Sequence, residues 1–163
     1  MIRRCMEEKL FMIGASDTHR PTSGQYKDLG FFRTMTIILA KDRSEKAIKE
    51  AILQHRTIAY SGGELMGDER WLSELAKASI TCKDMGASKK KGIMYQKYML
   101  LNSSSITYKL RWGKAANCVL EPFKPVIVDM RIKEEEIRTP KFTVENMWII
   151  DYKHPVITLE VSK

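Results

Sequence analysis

The sequence predicts an α+β protein in two parts: an α/β segment over about residues 1–80, then a small antiparallel β-sandwich over about residues 81–163. Three observations carry this. Short β-branched apolar runs alternate with helix-period segments up to about Ile80. Beyond Ile80 the apolar spacing falls to two, the period of a strand with one wet face. Turn-forming clusters such as Asn102-Ser103-Ser104-Ser105 then divide the second half into six or seven short strand candidates, the count and spacing of a sandwich of roughly 80 residues.

In the first part, Phe11, Met12 and Ile13 read as the end of a buried strand, and Gly14 allows a sharp bend after it. Thr34 to Ala40 is a short apolar run expected to be a strand buried on both faces. Asp42 or Ser44 can then accept from the first free helical N–H groups, and Asp42 and Glu45 have capping-box spacing. Ala47, Ile48, Ala51 and Ile52 fall on one side of a helix ending near His55, and Glu45–Lys49 and Lys46–Glu50 support its wet side at i,i+4. Thr57 to Tyr60 is another strand, and Ser61-Gly62-Gly63 a turn. A second helix starts at Asp68 and turns Trp71, Leu72, Leu75 and Ala76 inward.

In the second part, Met94 to Leu101 is a strand, with weaker candidates near Ile80 and Val119. Ile106, Tyr108, Leu110 and Trp112 alternate with Thr107, Lys109 and Arg111, and Val126, Val128, Met130 and Ile132 mark a further strand. Phe142–Ile150 and Val156–Val161 close the series around a turn at Asp151–Pro155. Gly86–Gly92 is expected to be a charged hairpin loop.

Composition narrows the function classes. The chain has 163 residues and a formal charge of +8, and counting by segment puts +7 of it between residues 81 and 118. That stretch includes Lys89-Lys90-Lys91, but no arginine-rich or aromatic-interleaved motif accompanies the lysines. A solvated loop and strand edge account for them, and nucleic acid is not an expected partner. No apolar run reaches the roughly 18–20 residues of a membrane-spanning helix, so no membrane role is expected. The N-terminus lacks the apolar core of a signal peptide, so the chain as it stands reads as a cytoplasmic, reduced protein. Cys5, Cys82 and Cys118 lie far apart and make neither a disulfide framework nor a cysteine zinc site. Gly62, Gly63 and Gly67 match no nucleotide-cradling pattern.

The chemistry concentrates in Ile13-Gly14-Ala15-Ser16-Asp17-Thr18-His19-Arg20-Pro21. On an extended segment Asp17 and His19 point the same way at i,i+2, a carboxylate and an imidazole that suit zinc, manganese or iron. By spacing alone, Asp-x-His pairs arise by chance and a plain polar loop fits better than a metal site. Arg20 and Arg33 are candidates to hold a substrate phosphate beside such a metal, against an ordinary surface role.

The neighbourhood of this motif resembles a known family. Met12–His19 is followed by Arg33-Thr34-Met35-Thr36-Ile37-Ile38-Leu39-Ala40-Lys41, then Ala47–Ile52, Arg56-Thr57 and Gly67–Leu72. This succession is similar to the C-terminal part of PHP-domain proteins, the predicted metal-dependent phosphoesterases, in the branch where a PHP-type barrel precedes a small all-β domain. Phe142–Ile149 and Pro155–Glu160 resemble that branch's closing strands. The resemblance implies a residual barrel segment, metal-dependent hydrolysis of a phosphate ester, and Asp17 and His19 as metal ligands from the family's final Asp-x-His. Relatives of this branch are often exported.

The family also uses a His-x-His and further His and acidic ligands earlier in the chain, and none precedes Asp17 here. His55 is expected at a helix end and His154 in a surface turn, so neither replaces them. A catalytic zinc takes three protein ligands plus an open position. The expectation is therefore a partial phosphoesterase, inactive alone, that needs an N-terminal PHP half to complete the metal site. A half-built barrel also exposes apolar surface around Thr34–Ala40, which predicts self-association. The alternative is a non-catalytic interaction module acting through the β-sandwich.

Overall fold

The computed structural model describes residues 4, 7, 8, 12–17, 19, 32–132 and 139–162, with Ile150 described by its backbone alone. Among the described residues it is an α+β chain rich in strands, with three four-stranded sheets. The described residues fall into two compact units, one drawn from residues 1–72 and 146–155, the other from 73–145 and 156–163.

The first unit is built on a sheet ordered β1-β2-β3-β10, from Met35–Ile38, Thr57–Ser61, Glu64–Gly67 and Met147–Trp148. β1 and β2 pair antiparallel, with Ile37 opposite Ile58. Gly62 and Gly63 both have positive φ, the geometry of a two-residue hairpin turn that returns β2 into β3. Helix α1 (Glu45–Leu53) lies between β1 and β2 in the chain. Of the two candidate caps, Ser44 is the one used: its Oγ accepts from the Ala47 N–H at 3.2 Å, while Asp42, two residues earlier, accepts from the Ser44 N–H through Oδ1 at 2.7 Å. At the other end the His55 N–H donates to the Ile52 carbonyl and the Arg56 N–H to the Ala51 carbonyl, with His55 at φ +57. This is a Schellman closure with histidine where glycine is usual. The core of this unit includes Ala51, Ile58, Leu65 and Met147.

Thr34–Ala40 departs from expectation. The strand is only four residues, half-buried rather than buried on both faces, and Ile38 is exposed. The reason is position: β1 is an edge strand of this sheet. Phe142–Ile150 departs too, because it is two strands rather than one. β9 (Lys141–Val144) belongs to the second unit, and after Glu145 and Asn146 the chain enters β10, which runs parallel to β3. Asn146 makes the change of sheet, its Nδ2 donating to the Gly63 carbonyl at 2.9 Å and its own carbonyl accepting from the Leu65 N–H. His154 is not a surface residue either. Its Nδ1 donates to the Met147 carbonyl at 2.8 Å and its ring lies 4.3 Å from that of Trp148, whose indole N–H donates to Glu64.

The second unit holds the sheets β12-β4-β5-β8 and β11-β9-β6-β7. The first comprises Val161–Ser162, Ile80–Lys90, Ile93–Asn102 and Pro125–Arg131, and the second Val156–Thr158, Lys141–Val144, Tyr108–Trp112 and Ala116–Leu120. Helix α2 (Glu69–Ser79), capped by Asp68 through the Arg70 N–H, leads directly into β4. Val156–Val161, expected as one strand, splits between the two sheets, and buried Leu159 donates its N–H to the Pro140 carbonyl between them. The expected Gly86–Gly92 loop is mostly strand. Lys89 and Lys90 pair with Met94 and Ile93, leaving only a tight turn at Lys91-Gly92, while the irregularity falls between Asp84 and Ala87, where Gly86 has φ +89. Lysines tolerate an exposed strand, so their charge does not force a loop.

The interior of the second unit has a polar centre. Asn102 is fully buried and satisfied on both ends: its Nδ2 donates to the Ile106 and Leu120 carbonyls, and its Oδ1 accepts from the Ser104 N–H and hydroxyl. Tyr108, also fully buried, donates to Ser79 Oγ at 2.9 Å, and Ser79 donates on to the Leu75 carbonyl. Asn102→Ala strips partners from several buried groups at once and should lower the unfolding free energy by about 2–4 kcal/mol, read from urea denaturation.

Burial, with the Asp84 carboxylate as the lesser cause, pushes the Cys82 thiol up to about 11 from its usual 9.0. The unfolded chain therefore loses this proton first. Stability should be full below pH 9 and decline as pH rises from about 9 to about 11, and Cys82→Ala should flatten that decline in urea midpoints measured across the range.

Candidate functional site

The site grows from the edge position of β1. Residues 12–16 pass beside this strand without joining the ladder. The two are tied through Thr36: its Oγ1 accepts from the Gly14 N–H at 2.9 Å and donates to the Gly14 carbonyl at 3.0 Å. The approach is too close for any side chain at residue 14, because a Cβ there would lie 2.5 Å from the Met35 carbonyl oxygen. Gly14 is thus needed for contact with β1 rather than for a bend.

Past Ser16 the chain changes course. Asp17 is left-handed at φ +49, a conformation aspartate tolerates better than most residues. Asp17 and His19 therefore share a cavity by way of a turn, not by the simple alternation of an extended strand. The turn is closed by His19, whose Nδ1 lies 2.9 Å from the Asp17 carbonyl oxygen. A carbonyl only accepts, so Nδ1 carries a proton, and in the uncharged form of the ring that leaves the lone pair on Nε2. That is how a metal-binding histidine is ordinarily oriented.

A depression of about 460 Å³ lies between this loop and β1, lined by Asp17, His19 and Arg33 together with Ser16, Thr34 and Thr36. Thr34 and Ser61 share a hydrogen bond at 2.8 Å, fixing the strand face beneath it to the β2–β3 turn. Of the four residues singled out from the sequence, the structure brings Asp17, His19 and Arg33 to one cavity, and Arg20 lies outside the described residues. His55, at the end of α1, and His154, beside Trp148, are not among the residues that line it. Thr36 lies inside the apolar, β-branched run expected to be buried on both faces. The signal was available, since Thr34 and Thr36 alternate with Met35 and Ile37, as on a half-buried edge strand.

A carboxylate and an imidazole with a bare Nε2 fit two positions around a divalent ion such as zinc, manganese or iron. They do not fit a whole catalytic centre: among the described residues no group of three or more His, Cys, Asp or Glu is placed to hold a metal. The guanidinium of Arg33, on the same cavity, suits a phosphoryl oxygen. Among the described residues no helix is long and apolar enough to cross a membrane. Gly14→Ala should force the loop off β1, costing about 1–3 kcal/mol and shifting the backbone amides of Asp17 and Met35 in NMR spectra.

No family model matches the sequence, and no curated protein matches it. Among solved structures, the crystal structure of a two-domain protein containing a predicted PHP-like metal-dependent phosphoesterase, from Bacteroides vulgatus ATCC 8482, superposes with a TM-score of 0.80 at 26% identity. The match covers 96% of this chain and 47% of that one, so this chain spans about half the length of that protein. Over nearly its whole length, then, the chain is similar to one part of a two-domain PHP-like protein, an extent that fits a C-terminal part.

Proposed function

We propose that residues 1–163 are the portion of a PHP-type phosphoesterase that contributes the last metal-donor pair, Asp17 and His19. Hydrolysis of a phosphate ester would then belong to the assembled protein, with this portion inactive alone. The observation that carries the proposal is that Asp17, His19 and Arg33 line one cavity, with His19 Nδ1 held on the Asp17 carbonyl. Resemblance over 96% of the chain to a protein described as containing such a phosphoesterase supports it. On this reading the first unit is the closing segment of a PHP-type barrel, and the two sheets of the second unit form a β-sandwich.

Each residue has a task set by its chemistry. Asp17 neutralises cation charge, His19 donates Nε2, and Arg33 holds a phosphoryl oxygen, with Arg20 a further candidate. A bound zinc, manganese or iron ion would supply Lewis acidity and an activated water. The remaining donors come from polypeptide outside residues 1–163, an N-terminal PHP half on the same or a separate chain. The apolar side chains of Ile13, Phe32 and Ile38, exposed by 65%, 47% and 36%, are the surface that such a half, or a second copy of this chain, would cover.

Co-expression with an N-terminal half should restore stoichiometric metal and phosphatase activity, and Asp17→Ala or His19→Ala should lower both, activity by at least about 100-fold. Metal content unaffected by the double substitution would overturn the assignment. A second reading, an interaction module working through the second unit, is favoured by the exposure of Val119 and Ile127, which leaves more than half of each open to solvent. It predicts that a partner stays bound when Asp17 and His19 are both replaced by alanine.

A further inference from the structure

We infer that Thr36 is a positioning residue for the Asp17–His19 pair, its hydroxyl fixing the loop so that His19 presents a bare Nε2. The inference rests on the reading of that pair as metal donors. One oxygen serves both backbone groups of one residue, accepting from the Gly14 N–H at 2.9 Å and donating to the Gly14 carbonyl at 3.0 Å. Two bonds to the peptide groups on either side of one Cα hold Gly14 against both sliding and rotation relative to β1. The clearance of 2.5 Å between a hypothetical Cβ at residue 14 and the Met35 oxygen shows how little room remains for another placement.

Three residues beyond this clamp the chain turns at Asp17, and its carbonyl receives the Nδ1 proton of His19. An unconstrained histidine side chain in water favours the opposite tautomer, with the proton on Nε2. The lone pair at Nε2 therefore depends on the Asp17 carbonyl staying where it is, and Thr36 tethers the segment that carries it. Thr34, two residues earlier on the same strand, directs its hydroxyl to Ser61 instead. Thr36 is itself only half-buried, so valine can take its place in β1 with its shape and strand preference kept and the clamp alone removed.

The experiment uses the full 163-residue chain, with Thr36→Val and Thr36→Ser, and reads the His19 ring nitrogens by long-range proton–nitrogen NMR at pH 8. Zinc uptake is titrated in parallel by calorimetry. Thr36→Val should move His19 toward the Nε2–H tautomer and weaken zinc binding about tenfold. Thr36→Ser, which keeps the hydroxyl, should restore both. An unchanged tautomer in Thr36→Val, or a serine variant that fails as valine does, would overturn the inference. So would displaced amide signals of Ile58 and Tyr60 in β2, since the hydroxyl would then be supporting the sheet and not the pair. A wild-type chain that takes up no zinc through His19, yet changes tautomer with Thr36→Val, would remove the metal reading and support the positioning role.

Discussion

The close approach of Gly14 to the carbonyl of Met35 is the constraint from which the site follows. An edge strand offers backbone groups that need partners, and β1 meets residues 12–17 through a side chain instead of a regular ladder. Because the contact is made at one residue, the chain beyond it need not follow β1. That freedom lets Asp17 take a left-handed conformation and brings the His19 ring back onto the Asp17 carbonyl. A continuous strand pairing through residue 17 would have held the backbone extended and left no cavity beside Arg33.

The second unit solves a different problem. Its two sheets are stitched by a chain that keeps changing partners: β9 and β11 lie in one sheet, β12 in the other, and β10 in the first unit. Each departure exposes backbone groups, and particular side chains or carbonyls meet them. Asn146 serves the exit to β10, Pro140 receives the Leu159 N–H, and Asn102 satisfies the carbonyls of Ile106 and Leu120. Buried amides with every bond made are costly to disturb, which gives this unit a polar centre as well as an apolar one.

The donor count and the length of the structural match are mutually consistent. Asp17, His19 and Arg33 line the cavity, with fewer donors than a catalytic metal centre takes, and the chain spans about half of the two-domain protein it resembles. An incomplete donor set is what one part of a larger coordination sphere would hold. On the proposed reading, the exposed Ile13, Phe32 and Ile38 are the apolar side chains that the rest of the protein would cover.

Local chemistry was legible in the sequence. The helix with Ser44 or Asp42 at its start, the second helix from Asp68, the glycine turn at residues 62–63 and the change to period two at Ile80 are all decided by groups close together along the chain, and so is the pairing of Asp17 with His19 as potential donors. What only the tertiary structure decided depends on neighbours remote in sequence. Whether Thr34–Ala40 is central or at an edge, whether Phe142–Ile150 is one strand or two, and why residue 14 must be glycine cannot be read from periodicity, because an apolar pattern records that a side chain is buried but not which sheet buries it. The direction of the His19 lone pair belongs to the same class, set by a backbone carbonyl whose place is fixed by a strand 22 residues from Gly14.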